Sequence, residues 1–162
     1  MKLTLELSSE IVWKEIDKEL FAVIGMVTAK GEARTIGVVY IVHDRKLYIL
    51  TGEDTWKARH IRNNGHVSIT VPIAKRIPIM PWIKIPAATI TFSGVAEVHP
   101  AKEVSKEILH ALMRGQEEEV DKLGAMCVIE VVPLGEFITY GVGIPMMTMR
   151  TPEKARGRAP VA

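Results

Sequence analysis

The constraint that most limits the fold of this chain is a series of six or seven short apolar runs joined by turns. The first three, residues 21–29, 32–42 and 47–52, are separated by only two and four residues. Parallel neighbours need a crossover of about a dozen residues or more, whereas antiparallel neighbours need only a tight turn. The sequence therefore predicts that these three runs form an antiparallel meander.

Later runs extend the predicted sheet. Residues 66–73 and 87–99 predict a fourth and a fifth strand. Gly94 predicts a break or bulge in the fifth, because glycine inside a strand often marks one. Residues 126–143 supply the last one or two strands.

Helical patterns flank these runs, but none alternates with strands at the spacing of a βαβ unit. Ser8 and Ser9 can cap a helix that runs to Leu20, Pro100 can open another, and residues 117–123 form a further helical piece. We expect a mainly β (α+β) fold, an antiparallel barrel of six to seven strands with two to three peripheral helices.

Composition and charge narrow the class of protein. Hydrophobic residues make up 48% of the chain and charged residues 25%, as in soluble globular proteins. The formal net charge of +2 gives no support for nucleic-acid binding. The most apolar stretch, residues 77–92, is too short and too broken by proline to cross a bilayer, and no signal-peptide pattern is visible. We therefore expect a cytoplasmic protein with neither a nucleic acid nor a membrane as its partner.

Two further expectations concern domain organisation and metals. We expect one domain over residues 1–149, and we expect the basic residues 150–162 to form a loose, flexible tail or arm. Cys127, the single cysteine, lies in an apolar run and is expected to be buried and inert. The five histidines show no metal-ligand spacing, and none has two other ligand-type residues beside it in the sequence. We therefore predict no metal site.

The candidate chemistry lies in residues 49–69, ILTGEDTWKARHIRNNGHVSI. Asp54 is the predicted N-cap of a short helix, which places Lys57 in the first turn. A cation is unfavourable there unless an anion lies alongside, because the helix N-terminus is already positive. A phosphate would receive a charge-assisted contact from Lys57 and hydrogen bonds from the hydroxyls of Thr51 and Thr55. A solvated basic helix explains the same lysine equally well.

A second feature lies in the predicted strand 32–42. Gly37 sits in mid-strand, where glycine often marks a bulge or the close approach of a ligand. Arg34, near the start of the strand, could approach the turn that carries Lys57. The two cations would then bind one phosphate, with a flat ring along the backbone of residues 35–38. Each residue taken singly has a commoner explanation: Arg34 as an exposed arginine on a strand, and Gly37 as a glycine required by packing.

Three consecutive segments carry a resemblance to a known family: FAVIGMVTAKGEARTIGVVYIV, HDRKLYILTGEDTWKARHIRNNG and HVSITV. In this order they resemble the pyridoxamine 5'-phosphate oxidase-like, FMN-binding split barrels. The resemblance covers residues 20–72 and continues loosely through FSGVAEVH, VIEVVP and ITYG. It implies a split β-barrel and a homodimer that binds FMN in a groove between protomers. It also implies an oxidoreductase that acts on a small-molecule substrate. The apolar segment 77–86 is consistent with a dimer, since a monomer would leave it partly exposed.

The resemblance also implies roles for individual residues. Arg34, Thr55 and Lys57 match the residues that hold the phosphate in the family. The strand whose backbone meets the flavin ring matches Thr35, Ile36, Gly37 and Val38, and the end of the third strand matches Leu50 and Thr51. Trp56 stands where the oxidases usually have an arginine, and Thr89 stands roughly where they have a glutamine that reaches FMN.

These last two differences, and the lack of an Arg-x-His signature after residue 126, argue against pyridoxamine-phosphate oxidase activity itself. The sequence names no acid or base residue, substrate or reductant. It leaves two alternatives to an FMN-dependent oxidoreductase. One is a protein that stores, carries or senses FMN without turnover, and the other is a relative that binds a deazaflavin or haem in the same groove.

Overall fold

The structure, a computed structural model, describes residues 5–114 and 123–162. The nine strands found in these ranges belong to one sheet. They are β1 (Leu5–Glu6), β2 (Phe21–Val27), β3 (Ala33–Val39), β4 (Ile41–His43), β5 (Lys46–Gly52), β6 (His66–Ile73), β7 (Ala88–Pro100), β8 (Met126–Tyr140) and β9 (Arg156–Pro160). The helices there are α1 (Ser9–Lys18), α2 (Trp56–Asn63), α3 (Lys106–Met113) and α4 (Pro152–Ala155), with 3₁₀ turns at Ala101–Glu103 and Met146–Arg150.

The sheet divides at β8. On one side β8 pairs with β7, with a register shift between Thr91 and Ser93 close to the predicted break. On the other side it pairs first with β5, as far as Val131, and then with β9, from Glu136 onward. The order continues from β7 through β6 and β2 to β3, while β1 lies beside β9 and β4 beside β5. The predicted mainly β, antiparallel split-barrel fold is confirmed.

Apolar side chains on the inner faces of the strands form the main core. Alternate residues of β6 and β7 face this core, as the period of a strand requires, and Ile69 and Ile90 are fully buried. Burial of one such side chain stabilises the fold by about 1.5–3 kcal/mol. Helix α1 covers one side of the core, where the Trp13 and Phe137 rings meet edge-on at 5.3 Å.

A second apolar cluster lies on the outer face of β5 and β8. Tyr48 and Val128 are buried there beneath Ile108 of α3. Leu47 and Ile49, the neighbours of Tyr48 on β5, belong to the main core instead. Alternate residues of β5 and β8 therefore reach opposite faces of the sheet.

Residues 33–39 pair with β2 and residues 41–43 pair with β5, so the predicted antiparallel meander forms, but its second strand is divided at Tyr40. This residue separates β3 from β4, and its buried hydroxyl donates a hydrogen bond to the carbonyl oxygen of Ile16 in α1 at 2.6 Å. As a result β5 pairs with β4 and β8 rather than with β3. The apolar pattern of residues 32–42 runs through this division without a change, which is why the sequence predicted one strand. The division, together with β1 and β9, raises the strand count above the predicted six to seven.

The predicted loose tail is wrong for Arg156–Pro160. These residues form β9, which pairs antiparallel with β8 and parallel with β1. Gly157 and Ala159 are buried, whereas Arg156 and Arg158, which alternate with them, are exposed. The carbonyl oxygen of Val161 accepts a hydrogen bond from the Trp13 indole at 3.0 Å. The sheet therefore continues beyond residue 149, because small residues alternate with arginines where charge alone suggested a solvated arm.

The helices differ from the prediction at their ends. Ser8 caps α1 as predicted, and its Oγ accepts a hydrogen bond from the Ile11 amide at 3.3 Å. After Pro100 the chain forms a 3₁₀ turn, and α3 begins only after Ser105, which is its N-cap. All but the last residue of the predicted helical piece 117–123 lies outside the described residues. Within the described part of the chain, no helix has the length and apolar character needed to cross a membrane.

Candidate cofactor site

Two threonine hydroxyls meet where β5 leads into α2. The Oγ1 atoms of Thr51 and Thr55 lie 3.4 Å apart. Thr55 Oγ1 also donates to the Gly52 carbonyl oxygen at 3.0 Å and accepts from the Ala58 amide at 3.4 Å. Thr55 is therefore the N-cap of α2, and the prediction that Asp54 caps this helix is wrong by one residue. Threonine and aspartate are both good caps, so residue type could not decide between them.

The first turn of α2 offers unused hydrogen-bond donors. Thr55 accepts from the Ala58 amide, and the next amide, that of Arg59, bonds the Thr55 carbonyl at 3.1 Å. The amides of Trp56 and Lys57 come before any intrahelical partner, and no described residue accepts from them. Two N–H groups and the positive end of the helix are therefore available to an anion.

Lys57 adds an uncompensated positive charge to this corner. Its side chain is half-buried, and it forms no ion pair with any residue that the structure describes. The nearby acid, Glu53, is already paired with Arg62, which also donates to the Glu53 carbonyl oxygen at 3.1 Å. Lys57 therefore remains without an anion.

Cys127 lies directly beneath the corner, a position that the sequence did not assign to the site. Its Sγ is 3.7 Å from the Gly52 carbonyl oxygen, and it pairs across the sheet with Thr51. Burial raises the pKa of this thiol and Glu53 raises it further, while Arg62 and Lys57 act in the opposite direction. The thiol is buried and protonated, as the sequence predicted for an inert cysteine.

β3 presents unpaired backbone groups along one edge. Among the described strands it pairs only with β2, and in that ladder the Thr28 amide bonds the Glu32 carbonyl and the Tyr40 amide bonds the Leu20 carbonyl. Hydrogen-bonded pairs alternate along an antiparallel ladder, so the even-numbered residues of β3 bond to β2. The N–H and C=O groups of Thr35 and Gly37 point away from β2, and they form an open edge that could bind a planar, polar ring.

The absence of a side chain at Gly37 has a packing explanation. A Cβ atom there would lie 2.6 Å from Cε2 of Phe21, whose ring covers the glycine on the outer face. Ile36 and Val38, on the other face, pack on or in the main core. The strand residues predicted to meet a ring thus offer their backbone, while two of their side chains stabilise the barrel.

Three predicted residues are not joined to the threonine corner. Arg34 is exposed and pairs with Glu32 at 3.4 Å, and no hydrogen bond or ion pair in the described ranges links it to Lys57 or the threonines. Leu50 packs with the second apolar cluster, on the face opposite Thr51. Thr89 lies near the start of β7. The part of β7 that contacts the chain just after α2 is near Ala96, whose amide donates to the Gly65 carbonyl oxygen.

Trp56 does belong to the corner. It is the first residue of α2, it is 39% exposed, and its ring lies 5.8 Å from the ring of His60 in an edge-on arrangement. An aromatic surface therefore stands beside the free amides, where the oxidases that the sequence resembles carry an arginine.

No histidine has two ligand-type residues beside it in the sequence, but the fold gives His99 two such neighbours. The fold brings Glu97, His99 and Glu130 together on the outer face of β7 and β8. Glu97 and His99 are two residues apart on one strand and Glu130 comes from another, so no sequence spacing could show the group. It lies on the opposite face of the sheet from Thr51.

A comparison with known protein families agrees with the split-barrel fold. The family model for pyridoxamine 5'-phosphate oxidase matches residues 11–135. This chain belongs to the pyridoxamine 5'-phosphate oxidase family. The match includes the threonine corner, β3 and most of β8, so the elements that build the candidate site are family elements. No curated protein matches the chain.

Solved structures with similar folds bind different groups. HutZ, a haem storage protein from Vibrio cholerae, is 17% identical with a TM-score of 0.63 over 85% of this chain and 98% of its own. An F420 reductase is 15% identical with a TM-score of 0.54 over 83% of this chain and 98% of its own. An FAD-binding protein from Mesorhizobium loti is 16% identical with a TM-score of 0.52 over 78% and 88%. At these identities the similarity shows the fold and not the ligand.

Proposed function

We propose that this member of the pyridoxamine 5'-phosphate oxidase family is a cytoplasmic, homodimeric FMN-binding oxidoreductase that acts on a small molecule. The observation that carries the proposal is the corner at the start of α2. There an unpaired lysine, two free amides and two hydroxyls lie together at the positive end of a helix. A phosphate group would accept from the lysine and both amides at once, and from the Thr51 hydroxyl when that hydroxyl turns away from Thr55.

The flavin ring would lie along β3. The outward N–H and C=O groups of Thr35 and Gly37 match the alternating donors and acceptors at the edge of a flavin ring. In this arrangement Arg34 gives up its exposed ion pair with Glu32 and turns to the phosphate. That exchange costs little, because exposed ion pairs contribute about 0–1 kcal/mol.

The bound flavin would supply the electron and hydride chemistry. The chain's own residues bind the phosphate, orient the ring through the β3 backbone and exclude water beside Trp56. Trp56 and Thr89 replace the charged and amide contacts of the oxidases, which argues for a substrate other than pyridoxamine phosphate. The proposal accordingly names an oxidoreductase without naming its substrate.

The dimer has support from the loop between β6 and β7. Ile79 and Trp82 of that loop are 85% and 74% exposed, an unusual state for large apolar side chains. A second copy of the chain would cover them, and the groove between the two copies would enclose the ring.

The deciding experiment compares FMN with riboflavin, which lacks the phosphate. The wild-type protein is expected to bind FMN more tightly than riboflavin. Lys57→Ala should weaken FMN binding by about 1.5–3 kcal/mol, roughly 10- to 150-fold, and leave riboflavin binding nearly unchanged. Lys106→Ala, which removes a lysine from the first turn of α3, is the matched control and should change neither.

The same samples test the alternatives. Bleaching of the bound flavin by NADH or NADPH, followed by recovery in oxygen, supports an oxidoreductase, and binding without bleaching supports storage or sensing. Titration with deazaflavin F420 and with haem follows from the relatives that carry those names. Equal loss of FMN binding in Lys57→Ala and Lys106→Ala, or no FMN binding by the wild type, would overturn the proposal.

A further inference from the structure

The group of Glu97, His99 and Glu130 has the geometry of a metal site. One carboxylate oxygen from each glutamate and one ring nitrogen of the histidine all lie within 4.8 Å of one another. Glu97 and His99 share a face of β7 because they are two residues apart, and the β7–β8 register places Glu130 directly opposite Glu97. The backbone of two paired strands therefore fixes the group.

The two glutamates form an unfavourable pair by themselves. Like charges directly opposite each other across a sheet repel. Glu130 has partial compensation, since the Lys46 ammonium lies 3.5 Å from its Oε1 and the Tyr48 hydroxyl donates to its Oε2 at 3.1 Å. Glu97 has no lysine or arginine partner in the described ranges, and its Oε2 lies 3.7 Å from His99 Nε2. The arrangement leaves room for a further positive charge between the two carboxylates.

The ring nitrogen of His99 gives an independent sign of a ligand. Its Nε2 is shielded from solvent and has no hydrogen-bond partner. The Glu97 Oε2 atom, at 3.7 Å, is too far away to serve as one. Buried polar atoms nearly always have partners, and a cation held between this nitrogen and the carboxylates would supply one.

We propose that Glu97, His99 and Glu130 bind a divalent transition-metal ion of the Zn²⁺ class. Zn²⁺ binds imidazole nitrogen and carboxylate oxygen at about 2.0–2.2 Å, so two ligands of one tetrahedral ion lie about 3.4 Å apart. The 3.7 Å between Glu97 Oε2 and His99 Nε2 is already close to that spacing. The Lys46 ammonium, whose side chain is 38% exposed, is free to swing into solvent when the ion takes its place beside Glu130.

The surrounding residues favour a structural role for the ion. The Tyr48 hydroxyl holds one oxygen of Glu130 and orients the other, as outer-shell hydrogen bonds do in metal sites. An imidazole with two carboxylates suits Zn²⁺ or Mn²⁺ better than Mg²⁺ or Ca²⁺. The ion would join β7 to β8 on the face opposite the cofactor corner, and it would stabilise the sheet without contacting that corner.

The test uses the full chain, made metal-free with a chelator and then titrated with ZnCl₂, MnCl₂ and MgCl₂. We expect Zn²⁺ to raise the thermal unfolding temperature and to bind at least 10-fold more tightly than Mg²⁺. His99→Ala and Glu97→Gln should each weaken Zn²⁺ binding at least 10-fold. The control is His66→Ala, which removes an exposed histidine from β6 and should leave binding unchanged.

Glu97→Gln also gives a result that would not be expected if Glu97 contributed to stability without binding a metal. The Glu97 side chain is 69% exposed, so the variant should fold, and its neutral amide removes the repulsion from Glu130. It should therefore be more stable than the wild type without metal and less stable with saturating Zn²⁺. With Co²⁺ as the probe, the wild type should show visible d–d bands that His99→Ala lacks. Equal Zn²⁺ affinity in wild type and His99→Ala, or no reversal of stability in Glu97→Gln, would overturn the proposal.

Discussion

The hydroxyls of Thr51 and Thr55 lie 3.4 Å apart, although one residue belongs to a strand and the other caps the next helix. Thr51 is held by its pairing with Cys127 across the sheet, and Thr55 by its bonds to Gly52 and Ala58. Two neighbouring hydroxyls are therefore positioned by separate structural elements, and each can be removed without the other.

Replacement of the two threonines should have different effects on stability. Thr55→Val removes the cap of α2 and should lower the free energy of unfolding by about 1 kcal/mol, while Thr55→Ser should restore most of it. Thr51→Val removes no cap and should have a smaller effect. Urea unfolding measures the difference, and equal losses in the two valine variants would contradict the assignment of Thr55 as the cap. If the cofactor proposal holds, both valine variants also weaken FMN binding.

Two glycines should respond differently to alanine. A Cβ at Gly65 would lie 2.6 Å from the Ala96 carbonyl oxygen, which is backbone held in β7, so Gly65→Ala should lower the free energy of unfolding by about 1–3 kcal/mol. A Cβ at Gly37 would meet only the end of the half-exposed Phe21 ring, which can move outward. Gly37→Ala should therefore cost less than Gly65→Ala in thermal unfolding, and the opposite order would contradict this packing.

Stability should fall at high pH because of Tyr48. Burial raises the pKa of Tyr48 from 10.0 to about 12, and Glu130 adds to the rise. The folded protein therefore holds this proton more tightly than the unfolded chain does. Its contribution is complete below pH 10 and is lost as the pH rises from about 10 to about 12. Urea unfolding across this range should show a shallower decline for Tyr48→Phe than for the wild type.

Part of the decline should remain in that variant. Burial also raises the pKa of Tyr40, and Glu19 and Asp17 add to the effect. Tyr40→Phe combined with Tyr48→Phe should flatten the profile further than either change alone. Identical slopes in the wild type and Tyr48→Phe would show that the phenol of Tyr48 titrates alike in the folded and unfolded chains.

Removal of residues 156–162 should destabilise the protein. The truncation leaves the second half of β8 without its partner on that side and removes the Val161 carbonyl that accepts from Trp13. The matched control is the full-length double variant Arg156→Ser, Arg158→Ser, which removes charge but keeps the strand pairing. Calorimetry should show a clear drop in unfolding temperature for the truncation only. A truncated protein as stable as the control would contradict the role of β9.

The sequence predicted the fold where each strand has its own alternating pattern and a clear turn. β6 occupies the predicted residues 66–73, and α1 has its predicted cap at Ser8. It failed where the outcome depended on distant partners. Tyr40 divides a continuous apolar run because of a bond to Ile16, and β9 forms because β1 and β8 lie on either side of it.

The candidate site was predictable where it is local. Thr51, Thr55 and Lys57 lie within one turn and the start of one helix, so the spacing in the sequence nearly fixes their proximity. The link from Arg34 to this corner depends on how β3 faces α2, and the residues show no contact between them. Cys127 and the outward direction of the Thr35 and Gly37 backbone groups depend on strand pairing, which no local pattern reveals.

The pairing of Thr51 with Cys127 also sets when the corner can form during synthesis. A chain emerging from the ribosome produces β5 and α2 long before it produces β8, so the corner lacks its sheet neighbour until Met126–Tyr140 has been made. Pairings between distant residues form slowly, since a long loop must close before any contact stabilises it. If the cofactor proposal holds, capture of the cofactor should therefore follow the synthesis of β8.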